Sequence, residues 1–228
     1  MPSPTYTPVT PVPLARAVVG AVGSGAAAVA LTLLVVVEWG PLIAFDRTVA
    51  EELHASAVRR PVLTRGTRVL SDWVWDPWTL RALLAVAAIA LWRRGERGLV
   101  WLSAVAGVVA AVVVQGLKAV AGRARPWWPD PVDSADFGAF PSGHAMTAAV
   151  VCGLLWWLAA RVAHRNVVRL VAWAGAVSVL GVGLTRLYLG VHWASDVVGG
   201  WLLGGCVVAA AVVAYERRRT AVEGALAR

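Results

Sequence analysis

The chain has 228 residues, of which 59% are hydrophobic and only 15% charged, well below the roughly one quarter typical of a soluble domain. A net charge of +8 and a pI near 10.9 would fit a nucleic-acid binder, but the arginines cluster between apolar runs and no soluble nucleic-acid motif is present. Composition therefore excludes nucleic acid as a partner and names the bilayer instead, with the charge read as membrane topology.

Residues 1–13 carry five prolines among Ser, Thr and Val, a composition that disfavours a helix and predicts a disordered tail. Residues 17–37 hold no charge between Arg16 and Glu38. That run is long enough to cross about 30 Å of hydrocarbon and too long for the apolar core of a cleaved signal peptide. From Glu38 to Asp72, Phe45, Val49, Leu53 and Ala57 recur near helical spacing, while Asp46, Glu51, Glu52, Arg59 and Arg60 fall largely elsewhere. An interfacial amphipathic helix is expected there. The second span is predicted over residues 73–92, with Asp76, Pro77 and Arg81 near its interfacial start. Four more are predicted at residues 98–117, 143–160, 167–184 and 197–214. The predicted fold class is all-α, a polytopic bundle of six transmembrane helices in one domain over residues 14–216, with a basic cytoplasmic tail at 217–228.

Trp73, Trp75, Trp78, Trp92, Trp127, Trp128 and Trp193, seven of the thirteen tryptophans, fall near predicted span ends, where indole prefers the interface. Arg93, Arg94 and Arg97, then Arg161, Arg165 and Arg169, then Arg217, Arg218 and Arg219 all lie on one side of the six spans. The positive-inside rule makes that side cytoplasmic, together with both termini. Cys152 and Cys206 fall inside spans and read as small apolar residues, not as a disulfide or metal cluster.

The single lysine, Lys118, begins a pattern: Arg125 and Pro126 come next, then Pro141, Ser142, Gly143 and His144, and finally Arg186, His192 and Asp196. These segments resemble the signature of the type 2 phosphatidic acid phosphatase superfamily, which includes membrane lipid phosphatases, glucose-6-phosphatase and vanadium haloperoxidases. The third segment opens with Thr185 where the pattern has serine, so the hydroxyl is kept. The resemblance implies hydrolysis of a lipid phosphate in the cell membrane, without metal or other cofactor. It gives His192 as nucleophile, Asp196 as its orienting carboxylate and His144 as general acid and base. Lys118, Arg125, Ser142, Gly143 and Arg186 are its phosphate-binding residues.

The residue chemistry fits those roles. Three cations can neutralise a phosphate dianion, and arginine forks can bind its oxygens in pairs. Ser142 and Gly143 open a predicted helix, where exposed N–H groups and the helix dipole favour an anion. His192 and Asp196, four residues apart, share one helix face if the sixth helix starts at His192. With alternating spans, every motif residue lands at one membrane face, so three distant segments can converge on one site.

Other features read as structural. His54 and His164 lack partners at useful spacing and are taken as loop or interface residues. Gly199, Gly200, Gly204 and Gly205 are read as allowing close helix packing. Asp130, Asp133 and Asp136 lack a metal-ligand pattern and are expected in a solvated lid, which leaves no metal site. A small transporter is the main alternative, but it predicts ionisable residues at mid-span, where this sequence is Ala, Val, Leu and Gly.

Overall fold

Caps and prolines divide the chain into eight α-helices in the computed structural model, which describes residues 14–226; no strand occurs among the described residues. Helix α1 covers Leu14–Val36, α2 Gly40–Arg59, α3 Pro61–Val69 and α4 Pro77–Arg93. After them come α5 (Arg97–Ala121), α6 (Gly143–Val162), α7 (Arg165–Tyr188) and α8 (Ala194–Leu226). Six segments are long and apolar enough to cross a membrane: Leu14–Val36, Pro61–Arg93, Arg97–Ala121, Gly143–Val162, Arg165–Tyr188 and Ala194–Ala225. The protein is a six-span, all-α membrane bundle. The tail predicted at residues 1–13 lies outside the described residues.

The expected interfacial helix is two helices. Pro61 has no N–H and pushes Arg60 out of the helical region, to φ −127 and ψ 66, so α2 stops and α3 restarts. Helix α3 runs into a π-helical turn, Leu70–Val74. Asp76 then caps α4 by accepting from Trp78 N at 2.7 Å, with Pro77 in the first turn. Within the apolar segment Pro61–Arg93, helix α4 thus begins at Pro77, because the cap and the proline set a helix boundary that hydropathy blurs.

The stripe on α2 also differs from expectation. Asp46, Ala50, His54 and Ala57 face the protein, while Phe45 is 57% exposed. Two polar residues occupy the inner face because each finds a partner far away in sequence. Hydrophobic periodicity cannot register that.

Helix α6 is the centre of the bundle and packs on α4, α5, α7 and α8, while α1 lies along α8. Met146, Val150 and Leu154 of α6 meet Ala106, Ala110 and Val114 of α5 and Ala211 of α8 in one buried cluster. A side chain on Gly200 would place Cβ 2.7 Å from Ser142 O, and one on Gly204 would place it 2.6 Å from Ala149 Cβ. Small residues therefore let α8 approach α6 closely, as expected, although Gly205 faces open space. At the opposite end, Arg161 of α6 pairs with the buried Glu216 of α8 and lies over the Trp157 and Tyr215 rings. Helix α8 has 33 residues, about 50 Å, so the basic stretch from Arg217 continues the helix beyond the hydrocarbon thickness.

Candidate functional site

The site lies at the end of the bundle where α5 stops, α6 starts, α7 stops and α8 starts. Helix α5 ends on Gly122, whose left-handed φ of 54 turns the chain into the segment 123–142. That segment returns to α6 through Ser142, whose Oγ caps the helix by accepting from Ala145 N at 3.4 Å. Ser142 N donates to Asp196 O at 2.9 Å, which ties the starts of α6 and α8 together.

His192 is 2% exposed and sits just before α8. Its Nδ1 lies 3.3 Å from Asp196 Oδ2, and its Nε2 lies 3.1 Å from Arg125 Nη1. A guanidinium only donates, so this network assigns the lone pair to Nε2 and the proton to Nδ1, where Asp196 accepts it. Burial pushes the imidazole down to about 4, against the hydrogen bond and charge of Asp196, with Arg125 and Arg186 adding to the lowering. The ring is neutral at neutral pH, with its Nε2 lone pair held by the Arg125 N–H.

A cavity of about 780 Å³ opens beside it. Lys118, Arg125, Gly143, His144, Arg186 and His192 line its polar end, and Leu84, Val108, Ala111 and Val150 are among the apolar residues that continue it between α4, α5 and α6. Six of the eight sequence-predicted residues thus meet around one space. Asp196 stands behind His192, fully buried, and Ser142 is equally buried as cap and tether.

The cations differ in what they have free. Arg125 donates from Nε to Phe137 O at 2.9 Å, from Nη2 to Asp136 O at 2.9 Å and from Nη1 to Val191 O at 2.6 Å. Its fork is committed to main-chain carbonyls and so differs from the paired phosphate contact expected from the sequence. It brings charge and one N–H at the His192 nitrogen. Desolvation lowers the Arg125 pKa from its ordinary value, opposed by Asp196 and Asp136. Lys118 donates to Gly138 O and keeps two further ammonium protons. Arg186, 4% exposed, donates to Ser71 Oγ at 2.9 Å and lies 3.9 Å from Asp133 Oδ2, while its buried Nε has no protein partner. A buried, unsatisfied guanidinium N–H beside such a cavity is a donor suited to an anion.

Segment 123–142 is solvated as expected, with Asp130 and Asp136 exposed, but it is also pinned to the bundle. Asp130 Oδ1 is 3.1 Å from His54 Nε2, Trp128 stacks on the His54 ring at 4.0 Å and donates to Gly190 O at 2.9 Å, and Arg68 donates to Val132 O. His54, read from the sequence as lacking partners, is buried with two of them, 76 residues away in the case of Asp130. Gly190, at φ 68, is required here, because a Cβ would come within 2.6 Å of Trp128 Nε1.

Sequence reasoning missed Arg123, Asp46, Ser195 and Ser71. Arg123 Nη1 donates to Asp196 Oδ1 at 2.7 Å, and Arg123 Nη2 to Asp46 Oδ2 at 2.7 Å. Arg123 stands two residues before Arg125, so proximity to the motif was an available signal; nothing comparable marked Asp46 or Ser71.

Comparison with known proteins agrees with this arrangement. The chain is 39% identical over 93 residues to phosphatidylglycerophosphatase B of Bacillus subtilis, covering 39% of this chain and 44% of that protein. It is 28% identical over 153 residues to undecaprenyl-diphosphatase of Sulfolobus acidocaldarius, covering 60% of this chain and 61% of that one. The matched segments thus span about half the length of these curated relatives. The fold superposes with a TM-score of 0.74 on the crystal structure of a transmembrane PAP2 type phosphatidylglycerolphosphate phosphatase from Bacillus subtilis, at 21% identity and over 88% of this chain and 97% of that one. The family model described as PAP2 superfamily matches residues 98–220, which hold every motif residue from Lys118 to Asp196, and the chain belongs to that superfamily.

Proposed function

We propose that this chain is a membrane enzyme that removes a phosphate group from a lipid through a phosphohistidine on His192. The observation that carries the reading is His192 itself. Its Nε2 lone pair is at a cavity lined by three cations and a second histidine, and its Nδ1 is on a buried carboxylate.

In this reading Lys118 and Arg186 bind the phosphoryl oxygens, Arg125 adds its charge and the one N–H that leaves His192 Nε2 as phosphate enters, and the α6 N-terminus at Gly143 helps. His192 Nε2 attacks phosphorus, a P–N bond forms and the P–O bond to the lipid breaks. Positive charge on the imidazole is stabilised by Asp196, which keeps the Nδ1 proton hydrogen-bonded. His144, which lines the cavity at the start of α6, gives a proton to the leaving oxygen. It then takes one from a water that attacks phosphorus, the P–N bond breaks, and inorganic phosphate leaves. Three protein cations do the charge neutralisation that a metal clamp performs elsewhere, so the reaction is read as metal-independent.

The apolar wall along α4, α5 and α6 suits a hydrocarbon tail beside the phosphate site. The names of the two curated relatives supply candidate substrates, phosphatidylglycerol phosphate and an isoprenoid diphosphate, with phosphatidic acid as a third. The catalytic unit is assigned to residues 14–216. The arginine-rich end and both termini are taken as cytoplasmic and the site as facing outward.

Phosphate release from those three lipids in detergent, with excess chelator, tests the reading. At least one should turn over, and His192→Ala should lose activity at least about 1,000-fold while its Tm stays near that of the wild type. Release by His192→Ala near the wild-type rate would refute the nucleophile assignment.

A further inference from the structure

Asp46 lies on α2, far from every motif, yet it is 0% exposed and fully hydrogen-bonded. Its Oδ1 accepts from Ser195 N at 2.9 Å, and its Oδ2 accepts from Ser195 Oγ at 2.5 Å and Arg123 Nη2 at 2.7 Å. Arg123 Nη1 donates in turn to Ser195 Oγ and to Asp196 Oδ1, each at 2.7 Å. Asp196 Oδ2 receives Trp193 N at 2.8 Å and faces His192 Nδ1 at 3.3 Å. An unbroken hydrogen-bonded path therefore runs from α2 through Arg123 and Asp196 to His192. Asp46, Arg123 and Ser195 do not line the cavity, so none of them meets the substrate directly.

This path acts on His192 through geometry and through charge. Arg123 fixes Oδ1 of Asp196, which leaves Oδ2 directed at the imidazole. Arg123 alone would also cancel the charge of Asp196, and an imidazole acquiring positive charge would then face a neutral pair. The Asp46 carboxylate offsets Arg123, so the buried trio of Asp46, Arg123 and Asp196 carries one net negative charge next to His192. A fully buried carboxylate is costly to maintain without such donors, which makes a bystander role at α2 a poor account of Asp46.

We infer that Asp46 is a positioning residue for the reaction, acting with Arg123 and Ser195 to hold Asp196 in place and aimed at His192. This rests on the phosphohistidine reading above. It also gives α2, outside the matched family segment, a part in the chemistry.

The test is a double-mutant cycle. Asp46→Asn keeps the side-chain size but removes the charge and replaces one of the two acceptor oxygens with an NH2 donor. With the lipid of the panel that turns over fastest, kcat should fall on the order of 10- to 100-fold, with KM within about twofold. In an Asp196→Asn background the same substitution should cost less than about threefold, because the group it acts through is already disabled. Equal losses in both backgrounds, or a wild-type kcat, overturn the inference. If Asp46→Asn does not fold, Ser195→Ala removes one hydroxyl of the network and leaves the backbone N–H to Asp46. It should show a smaller kcat loss that also vanishes in the Asp196→Asn background, and an unchanged kcat overturns the inference. Wild-type turnover by Asp196→Asn itself defeats the reading on which this rests. A slow Asp196→Asn beside wild-type Asp46→Asn and Ser195→Ala defeats this inference alone.

Discussion

Burial holds the folded His192 imidazole at about 4, whereas a histidine in the unfolded chain titrates near 6.5. Between those values the unfolded chain binds a proton that folded His192 does not, so stability rises with pH across that window and is lost as pH falls through it. The difference in thermal unfolding temperature between pH 7 and pH 4.5 should therefore shrink in His192→Gln. Equal differences in the two proteins would mean that His192 is not held neutral. At this scale the motif residues were legible because their chemistry is local in sequence: His192 and Asp196 are four residues apart, although α8 starts only at Ala194, and Ser142, Gly143 and His144 are consecutive. The residues that orient them were not. Asp46 acts through a side chain 149 positions from Ser195, and His54 through one 76 positions from Asp130. No periodicity encodes such pairings.

Among elements, the approach of α8 to α6 sets the distance between His144 and His192, since each residue is anchored at the start or just before the start of its helix. Gly204→Ala places a Cβ 2.6 Å from Ala149 Cβ, whereas Gly205→Ala meets nothing within 4 Å. Gly204→Ala is expected to cost roughly 1–3 kcal/mol through overpacking, and Gly205→Ala to stay within about 0.5 kcal/mol of wild type. Tm measurements on the two purified variants in detergent check this pair, and equal values would remove close packing as the reason for Gly204. Five of the six spans were readable from hydropathy alone, because α1, α5, α6, α7 and α8 are long and apolar. The start of α4 was not, since Trp73, Val74 and Trp75 extend the apolar sequence up to Asp76 and the cap that begins the helix is a single side-chain hydrogen bond. Tryptophan is similarly ambiguous. Trp73, Trp78, Trp92 and Trp127 are exposed at span ends as expected, but Trp75 packs on Gly181, Trp128 on His54, and Trp193 donates to Ala124 O.

For the whole molecule, six crossings put the start of α1 and the end of α8 at the end of the bundle opposite the site. The arginines at 93, 94, 97, 161, 165, 169 and 217–219 lie toward that far end, which in the proposed orientation is the cytoplasmic one. A cysteine at Ser134, in segment 123–142, should react with a membrane-impermeant thiol reagent in intact cells, and one at Arg165 only after lysis. The opposite pattern would turn the site toward the inner leaflet and leave the chemistry as described. That chemistry, phosphoryl transfer to His192, is the central claim, and a rapid-quench single turnover reaches it most directly. The reaction is stopped in alkali, which preserves a P–N bond, and the peptides are weighed. A phosphate adduct on His192 should rise before inorganic phosphate appears and be missing from His192→Ala. Inorganic phosphate appearing with no adduct at any time, or with the adduct on another residue, would contradict phosphoryl transfer to His192.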